Sequence, residues 1–167
     1  MEGYKPEKEE VKSPEANAER LTNYLEMMAE DLKKEGIPVT NDCRIDIDAF
    51  DEIYNKEDIE KDEKEVSRLD KIFARESNMS VDEWNDKKPL QPEEQLEILT
   101  TIAFHKNLGP EYLVVRSSKY DDYINNVDNL IIHRKTGKVV CAFDEVTNSN
   151  KENKYFNSKK ESILEKN

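Results

Sequence analysis

The stretch Val127-Asp-Asn-Leu-Ile-Ile-His-Arg-Lys-Thr-Gly-Lys-Val-Val-Cys-Ala-Phe-Asp-Glu-Val146 decides which fold the sequence predicts. Two apolar runs, 127–133 and 138–146, flank a short polar segment, and this pattern is typical of a β-hairpin. Gly137 supplies the positive φ angle that such a loop requires. Because both runs are almost continuously apolar, we expect the hairpin to lie at the centre of a sheet that is covered on both faces.

A helix and a further strand precede the hairpin. Pro92 opens a helical segment that reaches residue 108, and Gly109 with Pro110 ends it. Residues 112–116 then form an apolar run typical of a strand. The order predicts an α+β fold, in which helices flank a small mixed β-sheet with a central antiparallel hairpin. The helix should present a broad apolar face made of Leu96, Leu99, Ile102, Ala103 and Phe104.

The first half of the chain has a helical pattern. A helix over 14–35 has Ser13 as its N-cap and Gly36 just beyond its end. A second helix is expected over 56–75, and a short third helix follows the N-cap Ser80. The apolar stripes of the two long helices should pack on each other or on the C-terminal part.

These patterns divide the chain into three parts. Residues 1–12 are a polar, disordered lead, residues 13–88 an acidic helical region, and residues 89–167 the α/β core. Only about twenty residues follow the hairpin. They suffice for one polar helix but for no further strand, which indicates a core that is truncated at its C-terminal end.

The charge is distributed unevenly. The net charge is −12, and residues 1–100 carry 15 Lys or Arg against 29 Asp or Glu, whereas residues 101–167 carry 11 against 9. The overall charge argues against broad attraction to nucleic acid. The C-terminal part is nevertheless compatible with a nucleic-acid substrate, and the acidic helices can serve a protein partner. The oligomeric state stays open.

Other features set the expected compartment. No stretch approaches the roughly 18 apolar residues of a membrane span, and no signal peptide is recognisable. Cys43 and Cys141 have no metal-ligand spacing, and Cys141 lies in an apolar run where a free Cys usually belongs to the core. We therefore expect a soluble, cytoplasmic protein without membrane association.

Three carboxylates, Asp128, Asp144 and Glu145, lie at the ends of the hairpin. A four-residue loop places Asp128 opposite Phe143 and makes Glu145 its diagonal neighbour. A three-residue loop with a bulge at Gly137 shifts the register by one and places Asp144 opposite Asp128. Either register brings two carboxylates together, and these repel unless a proton or a cation lies between them. Such oxygen ligands suit Mg²⁺ or Mn²⁺.

The residues around the hairpin resemble a known family. Tyr120-Asp-Asp-Tyr-Ile-Asn-Asn-Val-Asp128, an apolar strand, a turn and Val140-Cys-Ala-Phe-Asp-Glu-Val-Thr147 are similar to the core of the PD-(D/E)XK, or restriction-endonuclease-like, nuclease superfamily. The resemblance covers residues 92–147. It implies the order helix, strand, strand, strand, with an Asp near the start of the second strand and a D/E-x-K motif at the end of the third.

The resemblance also implies roles for individual residues. Asp128 matches the motif Asp, and Glu145-Val-Thr147 matches the E-x-K segment. Asp128 with Glu145, or with Asp144 in the other register, would hold Mg²⁺ or Mn²⁺. The implied activity is metal-dependent hydrolysis of phosphodiester bonds in DNA or RNA. On the preceding helix, Glu97 is the candidate for the Glu that some members add, and Glu94 is the second choice.

Thr147 departs from the family pattern. It stands where the family has its Lys, and Thr cannot supply a positive charge. Lysines that can serve instead follow at Lys151, Lys154, Lys159 and Lys160. Two other functions therefore stay open: a catalytically inactive nuclease-like fold that serves as a binding or assembly module, and a helical adaptor in which the hairpin only completes a core.

The remaining polar residues carry weaker signals. His133 should lie at a strand end and His105 on an exposed helix face, and neither has a second His at ligand spacing. Arg116, with Ser117 and Ser118, can contact phosphate or can satisfy backbone groups within a loop. No phosphate-binding glycine loop is present among the four glycines.

Overall fold

The computed structural model describes residues 13–50 and 53–145, and four α-helices and three strands follow one another there. The helices are α1 (Pro14–Lys34), α2 (Lys56–Glu76), α3 (Val81–Lys87) and α4 (Pro92–Asn107). The strands are β1 (Tyr112–Arg116), β2 (Asn129–His133) and β3 (Lys138–Phe143). Short 3₁₀ segments cover Ile47–Phe50 and Lys88–Leu90, and a π-helical turn covers Asp121–Asn125.

Local capping fixes the helix boundaries. At the start of α1, the backbone N–H of Ala16 donates to Ser13 Oγ at 3.3 Å, and Gly36 has a φ of +81° just beyond the end of α1. At α3, Ser80 and Glu83 form a reciprocal capping box. The three long helices predicted from the sequence are therefore confirmed, each within one residue at either end.

The three strands form one antiparallel sheet in the order β1-β2-β3. The predicted α+β class and the antiparallel hairpin are confirmed. The three strands pair antiparallel, and the parallel pairing of the predicted mixed sheet is represented by an isolated bridge between Arg44 and Arg116. The expectation that the hairpin is covered on both faces is wrong. β3 is an edge strand of the described sheet, and Val139 and Val140 are 53% and 54% exposed.

A β-bulge sets the register of the hairpin. The strands begin in the register in which His133 pairs with Lys138, across a four-residue loop. Val140 then lies opposite no residue of β2, and the register shifts by one. Asn129 consequently pairs with Phe143. The hairpin thus has the four-residue loop of the first predicted register. Beyond the bulge it has the strand alignment of the second predicted register, in which Asp144 lies opposite Asp128.

The apolar core lies between α1, α4 and β1. Leu25 and Leu32 of α1 are each 1% exposed, and they belong to one cluster with Ile98 of α4 and Val115 of β1. The other buried members are Met28, Ala29, Val39, Cys43, Ile102 and Leu113. Fully burying one such large side chain contributes about 1.5–3 kcal/mol, so α1 stabilises the sheet although it lies far from it in sequence.

The second long helix, α2, docks elsewhere. It packs on α3, and Phe73 stacks edge-on against Tyr123 of the π-helical turn, with ring centroids 5.3 Å apart. Tyr123 also donates its hydroxyl hydrogen to Asp70 Oδ1 at 2.8 Å. The apolar stripe of α2 therefore contacts α3 and the segment between β1 and β2.

The buried face of α4 differs from the predicted one. Leu99 is 53% exposed and Phe104 is 38% exposed. The residues that α4 buries are Glu94, Glu97, Ile98, Thr101 and Ile102. The helix is rotated because two of its carboxylates form ion pairs inside the protein, and this requirement outweighs the burial of two large apolar side chains.

The two cysteines differ in burial. Cys43 is fully buried, and its Sγ donates to Leu25 O at 3.2 Å. Burial raises the pKa of Cys43 to about 12, so the thiol stays protonated and has a packing role. The prediction that Cys141 belongs to the core is wrong, because it lies exposed on the edge strand β3.

Candidate functional site

The structure brings Asp128, Asp144 and Glu145 together at the open end of the hairpin. The backbone N–H of Asp128, just before β2, donates to Phe143 O at 3.0 Å. Just after β3, the backbone N–H of Glu145 donates to Asp128 Oδ2 at 2.8 Å. The bulge at Val140 produces this alignment, so the site depends on one unpaired residue in the middle of β3.

The carboxyl groups of the site influence one another strongly. Burial, with hydrogen-bonding contact to the Asp144 and Glu145 side chains, raises the pKa of Asp128 to about 9. Burial also raises the pKa of Glu145. Glu145 Oε2 is buried and receives no hydrogen bond within the described part of the chain. The site therefore favours a proton or a cation between its carboxyl groups.

Asn129 holds the other oxygen of Glu145. Its Nδ2 donates to Glu145 Oε1 at 2.9 Å, and its Oδ1 accepts from Thr101 Oγ1 at 2.6 Å. Asn129 and Thr101 are both fully buried. A chain of hydrogen bonds thus joins α4 to the carboxylate site, and nothing in the sequence patterns had indicated it.

Glu97 of α4 is paired with two arginines. Arg116 Nε donates to Glu97 Oε1 at 2.8 Å, and Arg44 Nη2 donates to the same oxygen at 3.3 Å. Burial raises the pKa of Glu97, and the charge of Glu97 contributes to the raised pKa of Asp128. The structure therefore places this predicted catalytic residue near the carboxylate site, but with its Oε1 already engaged by Arg116 and Arg44.

Glu94 belongs to the same ion-pair network. It accepts a short hydrogen bond from Arg116 Nη2 and lies 3.4 Å from Lys88 Nζ. Burial alone would raise the pKa of Glu94, but Arg116, Lys88 and Arg44 lower it to about 2. Burial disfavours the charge of Arg116, yet Glu94 and Glu97 raise its pKa. Glu94 and Arg116 therefore stay ionised in the interior.

Arg44 extends the network to two further carboxylates. Its Nη2 lies 2.9 Å from Asp122 Oδ2 and its Nε lies 3.3 Å from Asp42 Oδ2. Arg44 and Arg116 are 3% and 1% exposed. The network ties the loop after α1 to α4, to β1 and to the π-helical turn. Its members are structural, because their polar atoms are directed at one another.

The segment after β1 bonds within the protein. The Ser117 hydroxyl has two acceptors within reach, Val127 O and, at 3.1 Å, Ser118 O, and Ser118 Oγ donates to Asp121 Oδ2 at 2.8 Å. Both serines are buried, as is Arg116. Of the two interpretations of this segment, the geometry favours satisfaction of internal groups over contact with phosphate. Asp121 accordingly starts the π-helical turn.

The prediction for His133 is confirmed, and the prediction for His105 is wrong. His133 ends β2, as expected, and its ring stacks edge-on against Tyr112. The prediction that His105 is exposed is wrong, because it is half-buried and its Nδ1 has no hydrogen-bond partner in the described structure. Burial lowers the pKa of His105, so this imidazole is neutral near pH 7.

The donor set of the hairpin end fits a hard cation held by few protein ligands. Within residues 13–50 and 53–145, no group of three or more His, Cys, Asp or Glu side chains is arranged to hold one metal ion. Mg²⁺, however, is usually bound by one or two carboxylates, and water or substrate phosphate completes its shell. Asp128 and Glu145 match that pattern. Thr147 and the lysines after it lie outside the described residues.

Comparisons with known proteins add no assignment. No protein-family model, no curated protein and no solved structure matches this chain. Among the helices of the described residues, none is long and apolar enough to cross a membrane.

Proposed function

We propose that this protein contains a divergent PD-(D/E)XK-like, metal-dependent nuclease domain that acts on phosphodiester bonds of DNA or RNA. The observation that carries the proposal is the contact between the Asp128 and Glu145 carboxyl groups at the hairpin end, where Glu145 Oε2 is buried and receives no hydrogen bond from the described residues. A buried carboxylate oxygen without a donor is costly unless a cation or a proton occupies the site. The resemblance implies the order helix, strand, strand, strand, and α4, β1, β2 and β3 follow one another in this order. The three strands form one sheet.

Each residue has a defined part in this proposal. Asp128 and Glu145 are the cation ligands, and Asp144, which the observed strand alignment places opposite Asp128, is the alternative ligand. When bound, Mg²⁺ or Mn²⁺ supplies a water of lowered pKa and stabilises negative charge on the phosphate. The buried pairing of Glu97 with Arg116 fixes α4 against β1, so that the hairpin end is held on a rigid support.

A second function is favoured by a different observation. Arg44 and Arg116 are buried and fully paired with carboxylates, so neither offers a free positive charge to a phosphate group. Together with Thr147 in place of Lys, this supports the same fold as a non-catalytic binding or assembly module. Metal binding without cleavage is the result that distinguishes this second function from the first.

Thermal unfolding tests the cation site. In the full chain we expect millimolar Mn²⁺ or Mg²⁺ to raise the Tm above its value in chelator, since a ligand at 100 times its Kd stabilises by about 2.7 kcal/mol. Asp128→Asn and Glu145→Gln should each remove this increase. Asp48→Asn, at an exposed carboxylate in the 3₁₀ segment Ile47–Phe50, is the matched control and should keep it. An unchanged Tm of the unmodified protein in both cations would refute the site.

Cleavage is measured separately on single- and double-stranded DNA and RNA. The nuclease proposal requires Mn²⁺- or Mg²⁺-dependent cleavage that Asp128→Asn abolishes and Asp48→Asn retains. If the cation stabilises the protein but none of the four substrates is cut, the site stands and the binding-module function replaces the nuclease.

A further inference from the structure

The polar contacts behind Glu145 are more specific than packing requires. Asn129 pairs with Phe143 in the sheet. Neither Asn129 nor Thr101 on α4 is exposed to solvent. A buried amide and a buried hydroxyl are costly unless each finds a partner. Here they partner each other, and the free end of the amide reaches Glu145.

The hydrogen bonds that lead from Thr101 through Asn129 to Glu145 run in one direction. The Thr101 hydroxyl has two acceptors within reach, Asn129 Oδ1 at 2.6 Å and Glu97 O at 2.8 Å, and neither of them can donate. Its single hydrogen is shared between them, and the shorter contact is the one to the amide. The amide then presents Nδ2 to Glu145 Oε1, at 2.9 Å. Thr101 therefore sets the orientation of Asn129, and Asn129 meets Glu145 with a donor, which suits the carboxylate form that a cation requires.

We propose that Asn129, oriented by Thr101, is a positioning residue that fixes the Glu145 carboxylate for cation binding. The inference rests on the proposed cation site and adds the means by which the site is held. Asn129 holds Oε1, the Glu145 carboxyl group contacts that of Asp128, and Oε2 is buried and receives no hydrogen bond from the residues that the structure describes. The rotation of the carboxylate is thus fixed before a cation arrives, and the oxygen left for the cation is Oε2.

The test is the Kd for Mn²⁺ alone, measured on the full chain at a temperature at which every variant is folded. Loss of a hydrogen-bond partner behind a metal ligand typically weakens metal binding 10- to 100-fold. We expect Asn129→Leu to raise the Mn²⁺ Kd by about that factor. Thr101→Val should raise it by a smaller factor, and Thr101→Ser, which keeps the hydroxyl, should restore it.

A control separates positioning from general stability. Ile98→Val removes one methyl group from the same buried face of α4 without touching the hydrogen-bond chain. It should lower the Tm and leave the Mn²⁺ Kd unchanged. If Asn129→Leu and Thr101→Val bind Mn²⁺ as tightly as the unmodified protein, the positioning role is refuted and the cation site stands. If the unmodified protein binds no Mn²⁺, the cation site and the positioning role are both refuted.

Discussion

Asp128 is the residue at which the energetics of the site are concentrated. It is partly buried, it accepts a backbone hydrogen bond from Glu145, and two further carboxyl groups contact it. The backbone bond favours the charged form of Asp128, whereas burial and the neighbouring acids favour the protonated form, and the latter effects are larger. In the absence of metal the protein therefore folds around a neutral Asp128 near pH 7.

This protonation predicts a pH dependence that Asp128→Asn should remove. Because the pKa of Asp128 rises from 3.8 to about 9 on folding, the folded state holds a proton that the unfolded state has lost between these values. Stability should therefore fall as the pH rises from 5 to 9 in chelator. An Asn side chain keeps an acceptor for the Glu145 N–H and carries no charge, so the variant should gain stability over the unmodified protein as the pH increases.

The measurement is urea unfolding of both proteins in chelator at pH 5, 7 and 9. The difference between the two free energies of unfolding reports the titration of Asp128 together with its effect on Glu145, and removes the contribution of titrating groups outside the site. Asp48→Asn, which removes one exposed carboxylate outside the site, is the control. A difference that is constant across this range would contradict the protonated state assigned to Asp128.

Among single substitutions, we expect one at Arg116 to cause the largest loss of stability. Arg116→Met would leave Glu94 and Glu97 buried without their main partner, and breaking a buried pair in this way costs about 3–5 kcal/mol. Arg68→Met is the matched control, because Arg68 makes a similar ion pair with Glu65 on the exposed surface of α2. Urea unfolding at pH 7 should show a large loss for the first variant and little change for the second. Equal effects would contradict the structural role of the network.

Much of the residue-level site follows from the sequence, and the network does not. Strand alternation alone requires that Asp128 meet Asp144 or Glu145 in either register. The sequence contained one signal for the ion-pair network that hydrophobic periodicity ignores: Glu94 and Glu97 lie three residues apart, on one face of the predicted helix. The charge on that face became interpretable only once Arg44 and Arg116 were seen to contact it. Arg44 is distant from α4 in sequence, and Arg116 lies at the end of the next strand, β1.

At the scale of elements, the sequence predicts helices and strands well because their signals are local. Caps such as Ser13 and Ser80 act within four residues. The register of the hairpin depends instead on the bulge at Val140, where two consecutive valines look like regular strand. The exposure of β3 is a further property that depends on what else packs on the sheet, and apolar composition alone predicted burial there.

The hairpin loop gives the prediction at this scale. Gly137 has a φ of +65°, in a region where an L-residue loses roughly 1–2 kcal/mol. Among the described residues, and apart from Gly137 itself and its two chain neighbours, no heavy atom lies within 4 Å of the position that a Cβ would occupy. The cost of Gly137→Ala is therefore backbone strain. We expect Gly137→Ala to lower the free energy of unfolding by about that amount, and Gly137→Asn to lower it less, since Asn tolerates this conformation. Equal losses for Ala and Asn would point to a steric cause instead.

At the scale of the whole molecule, segments that are far apart in sequence share one core. Leu25 and Leu32 of α1 pack with Ile98 of α4 and Val115 of β1. Arg44, in the loop after α1, pairs with Glu97 and bridges to the end of β1. The first and second halves of the sequence differ in charge, but they pack together in one core and not as separate units. The acidic first half supplies α1 as the cover of one face of α4 and β1.

This shared core predicts that residues 89–167 depend on α1. Deletion of residues 1–88 removes Leu25 and Leu32, each of which contributes about 1.5–3 kcal/mol when buried. It also removes Arg44, which leaves Glu97 and Asp122 with fewer partners. We expect the fragment to self-associate on size-exclusion chromatography and to lose a cooperative thermal transition. A synthetic peptide of residues 13–50 should restore both properties in part, whereas the same peptide with Leu25→Ala and Leu32→Ala should not. A monomeric fragment with the Tm of the full chain would show that the sheet and α4 form their core without α1.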